Sequence, residues 1–155
     1  MKKNHIFSRF FQSSISSYSL FELAQYMAVF YFDMRTAHFH TQGKEFLELH
    51  EYAQGLYEQA EDYYDDLVET AISFNEQVQP MFVTPENCPP VTDVSDMTPT
   101  DTIGVMLNGV RTVYDYLESI KKEVYPSFVC SKIDTMLEWL DKQNYKLGQM
   151  SKEIY

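Results

Sequence analysis

Five of the six prolines in this 155-residue chain lie close together in the middle of the sequence. They are Pro80, Pro85, Pro89, Pro90 and Pro99. Proline has no backbone N–H to donate and its ring clashes with the preceding turn, so it interrupts helices and central strands alike. This segment is therefore predicted to be a long connection. The length suits one domain with its own core, and a two-domain enzyme is not expected.

The part of the chain before the prolines carries two stripes of apolar residues at the helical spacing of three or four positions. The first predicts a helix over about residues 19–40, with Ser19 and Glu22 placed as a capping box. Its members are Leu20, Ala24, Met27, Tyr31, Met34 and His38. The second predicts a helix over about residues 44–74. Its members are Phe46, Leu49, Ala53, Leu56, Ala60, Tyr63, Leu67 and Ala71.

Two further stripes follow the prolines, and the turn between them is predicted at Tyr125-Pro126. The third helix is expected to be capped by Thr100 or Asp101 and to run to Val124. Its stripe is Ile103, Met106, Val110, Val113, Leu117, Ile120 and Val124. Pro126 fits the first turn of a fourth helix, whose stripe is Val129, Ile133, Met136, Leu140, Asn144, Leu147 and Ile154.

The lengths of the connections between the four predicted helices indicate the fold class. Two short turns and one long proline-rich crossover between the second and third helices predict an all-α, ferritin-like four-helix bundle. The bundle is expected over residues 19–155. Residues 1–18 form an N-terminal arm that the helical periodicity does not place.

The charge of the chain argues against nucleic acid as its partner. Twelve Lys and Arg stand against 23 Asp and Glu, a formal net charge of −11 that repels phosphate backbones. The arm contributes only Lys2, Lys3 and Arg9, so DNA binding is not expected.

The 11 Phe and 12 Tyr exceed what one small core usually takes in, which suggests that some are buried between subunits.

Cysteine usage and hydropathy predict the compartment. Cys88 and Cys130 form no disulfide framework, have no metal-type cysteine partner nearby and are interpreted as unreactive small residues. The most apolar stretch, residues 23–32, is shorter than the roughly 20 residues of a membrane-spanning helix. A cytoplasmic protein without membrane contact is expected.

Acidic residues concentrate on the second predicted helix. Asp65 and Glu69 are one turn apart on one face, close enough to offer two oxygens to one hard cation. His50 and Gln54 share their flank, but His50 lies about 22 Å along the axis from Asp65. Two such helices packed antiparallel about a two-fold axis would join the His50 end of one chain to the Asp65 end of another. Mixed imidazole and carboxylate ligands suit iron and its neighbours.

These residues carry a resemblance to a known family. Ala37-His38-Phe39, Gly43, Phe46, His50 and Asp65-x-x-x-Glu69 resemble the signature of the Dps family, the ferritin-like mini-ferritins. His50 follows His38 by 12 positions, Asp65 follows His50 by 15, and Glu69 follows Asp65 by four. The likeness is closest over the first two helices and continues more loosely over most of residues 19–153.

The resemblance implies a hollow homo-oligomer, usually a dodecamer, built on dimers with antiparallel second helices. Such shells oxidise Fe(II) between two-fold related subunits, often with hydrogen peroxide, store the ferric mineral and thereby protect against oxidative damage. Carried over by position, the metal ligands would be His38 and His50 from one subunit and Asp65 and Glu69 from the other. The implied metal is iron.

Two positions depart from the family pattern. Gln54 stands where the family has a further carboxylate, so a second iron should bind poorly. Phe39 replaces the family's tryptophan, which removes an indole that could donate a hydrogen bond or an electron. A Dps-fold protein with a vestigial metal site, acting as a binding or assembly module, is therefore kept as an alternative to a working ferroxidase. A nucleoid-binding protein is the third hypothesis.

The remaining candidates have simpler interpretations. His40 is expected at the surface of a helix end, and Glu61 is a candidate auxiliary contact to the cation. A cluster of tyrosines on the second helix is expected to pack in the core or an interface, although tyrosines near iron can also absorb oxidising equivalents. It comprises Tyr52, Tyr57, Tyr63 and Tyr64.

Overall fold

The computed structural model describes residues 19–78 and 96–153, and within them the secondary structure is almost entirely helical. Four α-helices follow one another, with a short 3-10 helix before the last. They are α1 (Leu20–His40), α2 (Phe46–Ser73), α3 (Pro99–Ser119) and α4 (Ser127–Glu153), and the 3-10 helix is Lys122–Val124. The predicted N-terminal arm, most of the proline-rich connection, Cys88 and Ile154 lie outside the described residues.

Helices α1 and α2 run antiparallel. Across α1 and α2, Leu20 contacts Glu76 just beyond the end of α2, whereas His38 contacts His50 near its beginning. Helix α2 also lies antiparallel to α4, because Tyr52 bonds Gln143 while Asp66 pairs with Lys132. The predicted all-α bundle of four helices is thereby confirmed.

Helix α1 is buried on several sides and packs against both α2 and α3. The largest fully buried side chains come from all four helices, so they form one contiguous core. Prominent among them are Leu20, Leu23, Met27, Phe30, Met34, Leu49, Leu67, Met106, Leu117, Ile133 and Met136. Most members of the predicted stripes belong to this core. Phe46 does not: it begins α2 with 42% of its surface exposed, which corrects its assignment to the core.

The first turn of α1 is capped from two directions. Ser19 Oγ accepts from Glu22 N at 2.8 Å, as the sequence predicts. Both carboxylate oxygens of Glu76 accept backbone N–H groups of the same turn, from Leu20 at 3.1 Å and Phe21 at 3.0 Å. Because the free N–H groups of a first turn need acceptors, Glu76 links the end of α2 to the start of α1.

The ends of the later helices differ from the predictions by a few residues. Thr98 caps α3, and Thr98 and Asp101 bond each other's backbone N–H in a capping box, so the predicted cap at Thr100 or Asp101 was wrong. Helix α3 ends at Ser119, and Val124 lies in the 3-10 helix, 37% exposed, rather than on a helical core stripe. Pro126 precedes α4, where its carbonyl accepts from Cys130 N.

The last residues of the long connection are hydrogen-bonded to the turn between α1 and α2. Met97 N donates to the His40 carbonyl at 2.8 Å, and Gln42 N donates to the Met97 carbonyl at 3.0 Å. Thr41 and Met97 form an isolated parallel bridge. Gly43 turns the chain with φ of 101°, a conformation that side chains rarely adopt. These bonds fix the turn that carries the candidate site.

Candidate metal site

His38 and His50 face each other across the α1–α2 turn and bond reciprocally. His38 Nδ1 lies 2.9 Å from the His50 carbonyl oxygen, and His50 Nδ1 lies 2.8 Å from the His38 carbonyl oxygen. A carbonyl oxygen can only accept, so each Nδ1 carries the proton and donates it. In the neutral ring this leaves the lone pair on Nε2, the atom that binds metals when Nδ1 is held by a carbonyl.

The two imidazoles are stacked. Their centroids are 3.6 Å apart and their planes differ by 24°. His38 is buried, as the apolar stripe predicts, and His50 is half-buried. The 12-position spacing of the two histidines thus brings both rings to one place. His40, two residues beyond His38, belongs to neither the stack nor its bonds and is half-buried.

Aromatic rings surround the histidine pair. The Phe39 ring lies 5.1 Å from the His38 ring, and the Phe46 ring lies 5.0 Å from the His50 ring. Tyr57 packs edge-on against His38 at 5.3 Å. Phe39 is 59% exposed, so this wall faces solvent in the single chain. We call this region, defined by His38, Phe39, Phe46, His50 and Tyr57, the histidine face.

Arg35 completes the surroundings, and the sequence analysis did not select it. Its guanidinium lies 5.1 to 5.5 Å from the ring centroids of Tyr31, Phe39 and Tyr57. It also donates to the Tyr31 hydroxyl at 2.7 Å. The available signal was its position three residues before His38, which puts both side chains on one side of α1.

The predicted carboxylate ligands lie elsewhere on α2. Asp65 and Glu69 are exposed and make no hydrogen bond or ion pair with a described residue. Their neighbour Asp66 does pair, with Lys132 of α4. Glu61 is also exposed. The two candidate carboxylates are therefore free to bind a cation or a second molecule.

One chain does not bring the histidines and the carboxylates together. Residues 19–78 and 96–153 contain no cluster of three or more His, Cys, Asp or Glu arranged to hold a metal. The rise of α2 separates His50 from Asp65 by about 22 Å. Imidazole and carboxylate groups are donors of the type that suits Fe(II), but the described chain holds the two pairs apart.

Gln54, Tyr52 and Tyr63 each contact another side chain of the bundle. Gln54 Nε2 donates to Glu58 Oε1 at 2.7 Å, one turn further along α2. Tyr52 donates to Gln143 Oε1 at 2.7 Å, and burial raises the pKa of its phenol to about 12. Tyr63 packs against Trp139 at 5.4 Å; burial, and then the charge of Asp62, raise the pKa of its phenol. These contacts fit the packing role predicted for Tyr52 and Tyr63.

Cys130 is half-buried, and its thiol donates to the Lys122 carbonyl at 3.2 Å, a structural contact. No helix in the described part of the chain is both long and apolar enough to cross a bilayer.

Comparison with solved structures identifies the fold. No protein-family model and no curated protein matches the sequence. The structure is similar to antigen TpF1 from Treponema pallidum, with a TM-score of 0.73 and 18% identity over 86% of this chain and 90% of that one. It is also similar to the DPS protein of Vibrio cholerae O1, described as a member of a broad superfamily of ferritin-like diiron-carboxylate proteins. There the TM-score is 0.67 and the identity 19%, over 88% of this chain and 86% of that one. The chain therefore has the ferritin-like fold that the sequence resemblance implied.

Proposed function

We propose that this chain is a Dps-like protein that binds Fe(II) between two subunits, oxidises it and sequesters the ferric product. The observation that carries the proposal is the reciprocal His38–His50 pair, which presents two imidazoles with their tautomers fixed. The fold shared with the Vibrio DPS protein supports it, because the superfamily named for that protein binds iron through carboxylates.

The complete site in this proposal lies between two copies of the chain. His38 and His50 of one copy would face Asp65 and Glu69 of the other, across antiparallel α2 helices related by a two-fold axis. An isologous contact of this kind creates two equal sites. The exposure of Phe39, Phe46 and both carboxylates supports it, since a second copy would cover these side chains. Assembly of such dimers into a larger shell, usually a dodecamer in the family, is part of the proposal.

The chemistry assigns a role to each group. The two Nε2 atoms and the carboxylates hold Fe(II), the substrate, and the carboxylates offset the charge that grows as Fe(II) becomes Fe(III). Hydrogen peroxide accepts two electrons and two protons to give two water molecules, so each peroxide consumes two Fe(II). Tyr57, whose ring touches His38, keeps one side of the site apolar.

The test is the oxidation of Fe(II) added anaerobically to the oligomer and then exposed to peroxide. A soluble ferric species should form faster than in buffer, measured by near-ultraviolet absorbance. The double variant His38→Ala/His50→Ala should lose this activity, and His40→Ala, at the same end of α1, should retain it. A parent trace that matches the buffer blank would contradict the proposal.

Two residues, Gln54 and Phe39, favour a second function. Gln54 is neutral and already bonded to Glu58, and Phe39 offers no polar group. Both fit a protein that uses its oligomer as a binding or assembly module with a vestigial metal site. Alanine at Asp65 and Glu69 separates the two functions: a ferroxidase loses its biological activity, whereas an assembly module keeps it. DNA binding, for which the arm is the only candidate segment, would be seen as a gel shift at low salt.

A further inference from the structure

We propose that the N-terminal arm of one chain binds an acidic groove on α2 of a second copy, so that the two chains of a dimer exchange their arms. The groove lies along the first two turns of α2 and the residues just before them, and we call it the α2 groove. It is open to solvent and has a volume of about 750 Å³. Its lining residues are Lys44, Glu45, Leu47, Glu48, Glu51 and Tyr52. The inference rests on the antiparallel α2 helices of the proposed function and adds a second contact between the same two chains.

The α2 groove is acidic and contains an exposed apolar side chain. Glu45, Glu48 and Glu51 follow one another at three-residue intervals, which places their carboxylates on one side of the helix. None of the three forms an ion pair with a described residue, and Lys44 offsets only part of their charge. Leu47 lies among them with 64% of its surface exposed. A segment that fits this groove needs positive charges and apolar side chains together.

The arm, residues 1–18, has this composition. It contains three of the 12 Lys and Arg of the chain and none of the 23 Asp and Glu. The whole acidic excess therefore belongs to residues 19–155, so the arm and the bundle carry charges of opposite sign. Opposite charges favour association of the two surfaces and disfavour like-charged partners. The basic residues are interspersed with large apolar ones, which are Ile6, Phe7, Phe10 and Phe11.

The arm joins the bundle at the end of α2 that lies farthest from the groove of the same chain. Glu76, just beyond α2, accepts the backbone N–H groups of Leu20 and Phe21 at 3.1 and 3.0 Å, so Ser19 lies beside that end. The α2 groove of the same chain is about 40 Å away along the helix. In two antiparallel α2 helices, the start of one lies beside the end of the other. The groove nearest to Ser19 is therefore the one on the second copy, within the span of at most about 60 Å that 18 extended residues reach.

A competing set of carboxylates lies near the start of the arm in the same chain. Tyr26 of α1 stacks on Tyr116 of α3 with ring centroids 3.9 Å apart, so the end of α3 is close to the start of α1. The exposed carboxylates at this end, which we call the control carboxylates, are Asp115, Glu118 and Glu123. The neighbouring cations Lys121 and Lys122 lower the attraction of this end for a basic segment.

Crosslinking with a carbodiimide tests which chain the arm contacts. The reagent joins the amine of Lys2 or Lys3 to a carboxylate by forming an amide with loss of water. The oligomer is assembled from full-length unlabelled and ¹⁵N-labelled chains, and the crosslinked peptides are identified by mass spectrometry. We expect peptides that join a light arm to Glu48 or Glu51 of a heavy chain, and the reverse.

Tryptic cleavage after Arg9 measures how firmly the arm is held on the intact oligomer. Glu45→Gln/Glu48→Gln/Glu51→Gln should raise the initial cleavage rate roughly tenfold, as expected for the loss of three exposed ion pairs. The matched control, with amides in place of the three control carboxylates, should be cleaved at the rate of the parent.

Charge reversal keeps the test independent of how well the groove variant folds. Lys2→Glu/Lys3→Glu changes no residue of the bundle and should also speed cleavage after Arg9. Adding Glu48→Lys/Glu51→Lys to it should restore slow cleavage, because the charges are opposite again.

The outcomes separate this proposal from the proposed function, since neither readout uses iron. Crosslinks that stay within one chain, or that reach only the control carboxylates, would overturn the exchange of arms. Equal cleavage rates in the parent, the groove variant and the charge-reversed variant would do so too. A protein that forms the expected crosslinks and leaves Fe(II) unoxidised would contradict the proposed function and support the exchange. A protein that oxidises Fe(II) without those crosslinks would do the opposite.

Discussion

His38 and His50 each donate a ring proton to the other's backbone carbonyl, so each imidazole is held by main chain rather than by side chain. The pair fastens the end of α1 to the second turn of α2 at the place where the chain reverses. Because the acceptors are backbone atoms, replacing one histidine leaves the acceptor of the other in place. The stack of the two rings, and not the hydrogen bonds, is therefore what couples the two side chains.

This coupling can be measured with a double-mutant cycle. His38→Ala and His50→Ala should each lower the free energy of unfolding by about 1.5 to 2.5 kcal/mol, because each removes one hydrogen bond, worth about 1 kcal/mol, and the ring stack. The double variant should lose less than the sum of the single losses, by about 0.5 to 1.5 kcal/mol, since the stacking is lost only once. Urea unfolding followed by far-ultraviolet circular dichroism gives the values. Strictly additive losses would show that the rings do not interact.

The exposed carboxylates should contribute to cation binding and hardly at all to folding. Asp65→Asn with Glu69→Gln should change the free energy of unfolding by less than about 0.5 kcal/mol, because neither side chain has a partner among the described residues. The affinity for Co²⁺ should fall at least about tenfold. Asp62→Asn, exposed on the same helix, is the control for lost negative charge. Equal losses in both variants would point to a general charge effect.

Glu76 should stabilise the start of α1 from a distance of more than 50 positions in the sequence. Glu76→Ala removes both acceptors from the Leu20 and Phe21 N–H groups and should cost about 1 to 2 kcal/mol, as loss of an N-cap does. Glu118→Ala, an exposed glutamate on α3, should change stability by less than about 0.5 kcal/mol. A Glu76→Ala variant as stable as the parent would show that water replaces the carboxylate without loss.

Two glycines of α3 should respond to alanine with opposite signs. A Cβ at Gly109 would lie 2.9 Å from Met34 Cε and 3.1 Å from the Phe30 ring, so the core must shift, at about 1 to 3 kcal/mol. A Cβ at Gly104 would meet no atom within 4 Å, and alanine there should stabilise the helix by about 0.5 to 1 kcal/mol. Thermal unfolding of the two variants makes the comparison. A stabilised Gly109→Ala would mean that Met34 moves aside freely.

Alkaline pH should weaken the fold through Tyr52. Burial raises the pKa of its phenol to about 12, whereas an unfolded tyrosine titrates near pH 10. The folded state therefore keeps a proton that the unfolded state loses, and the stability from this group disappears progressively between about pH 10 and 12. Tyr52→Phe should lose less stability than the parent between pH 9 and 11 in urea titrations. Tyr145→Phe, 66% exposed, should follow the parent.

Local patterns in the sequence were enough to predict the helices, because apolar spacing reports which face of each helix is buried. The same patterns misplaced Phe46, since a ring at the start of a helix can complete a stripe and still face solvent. They also misplaced the start of α3: Thr98 is the cap, and Asp101, one of the two predicted caps, is its partner in the capping box.

The sequence predicted some residues of the candidate site and missed others. The spacing of His38 and His50 identified both rings, but Arg35 escaped because its position depends on three aromatic neighbours from two helices. Glu76 escaped because the residues it caps lie more than 50 positions away. Contacts of this kind are set by how the helices pack, and single-helix periodicity does not contain that information.

The only tryptophan of the chain lies where it can report on the core without touching the histidine face. Trp139 of α4 packs against Phe30 of α1 at 5.9 Å and Tyr63 of α2 at 5.4 Å, so its indole senses three helices at once. Phe30 is also the ring that a side chain at position 109 would press upon. Intrinsic fluorescence therefore separates the two classes of variant: emission should shift when the packing around Phe30 changes and stay constant when only the proposed metal ligands are replaced.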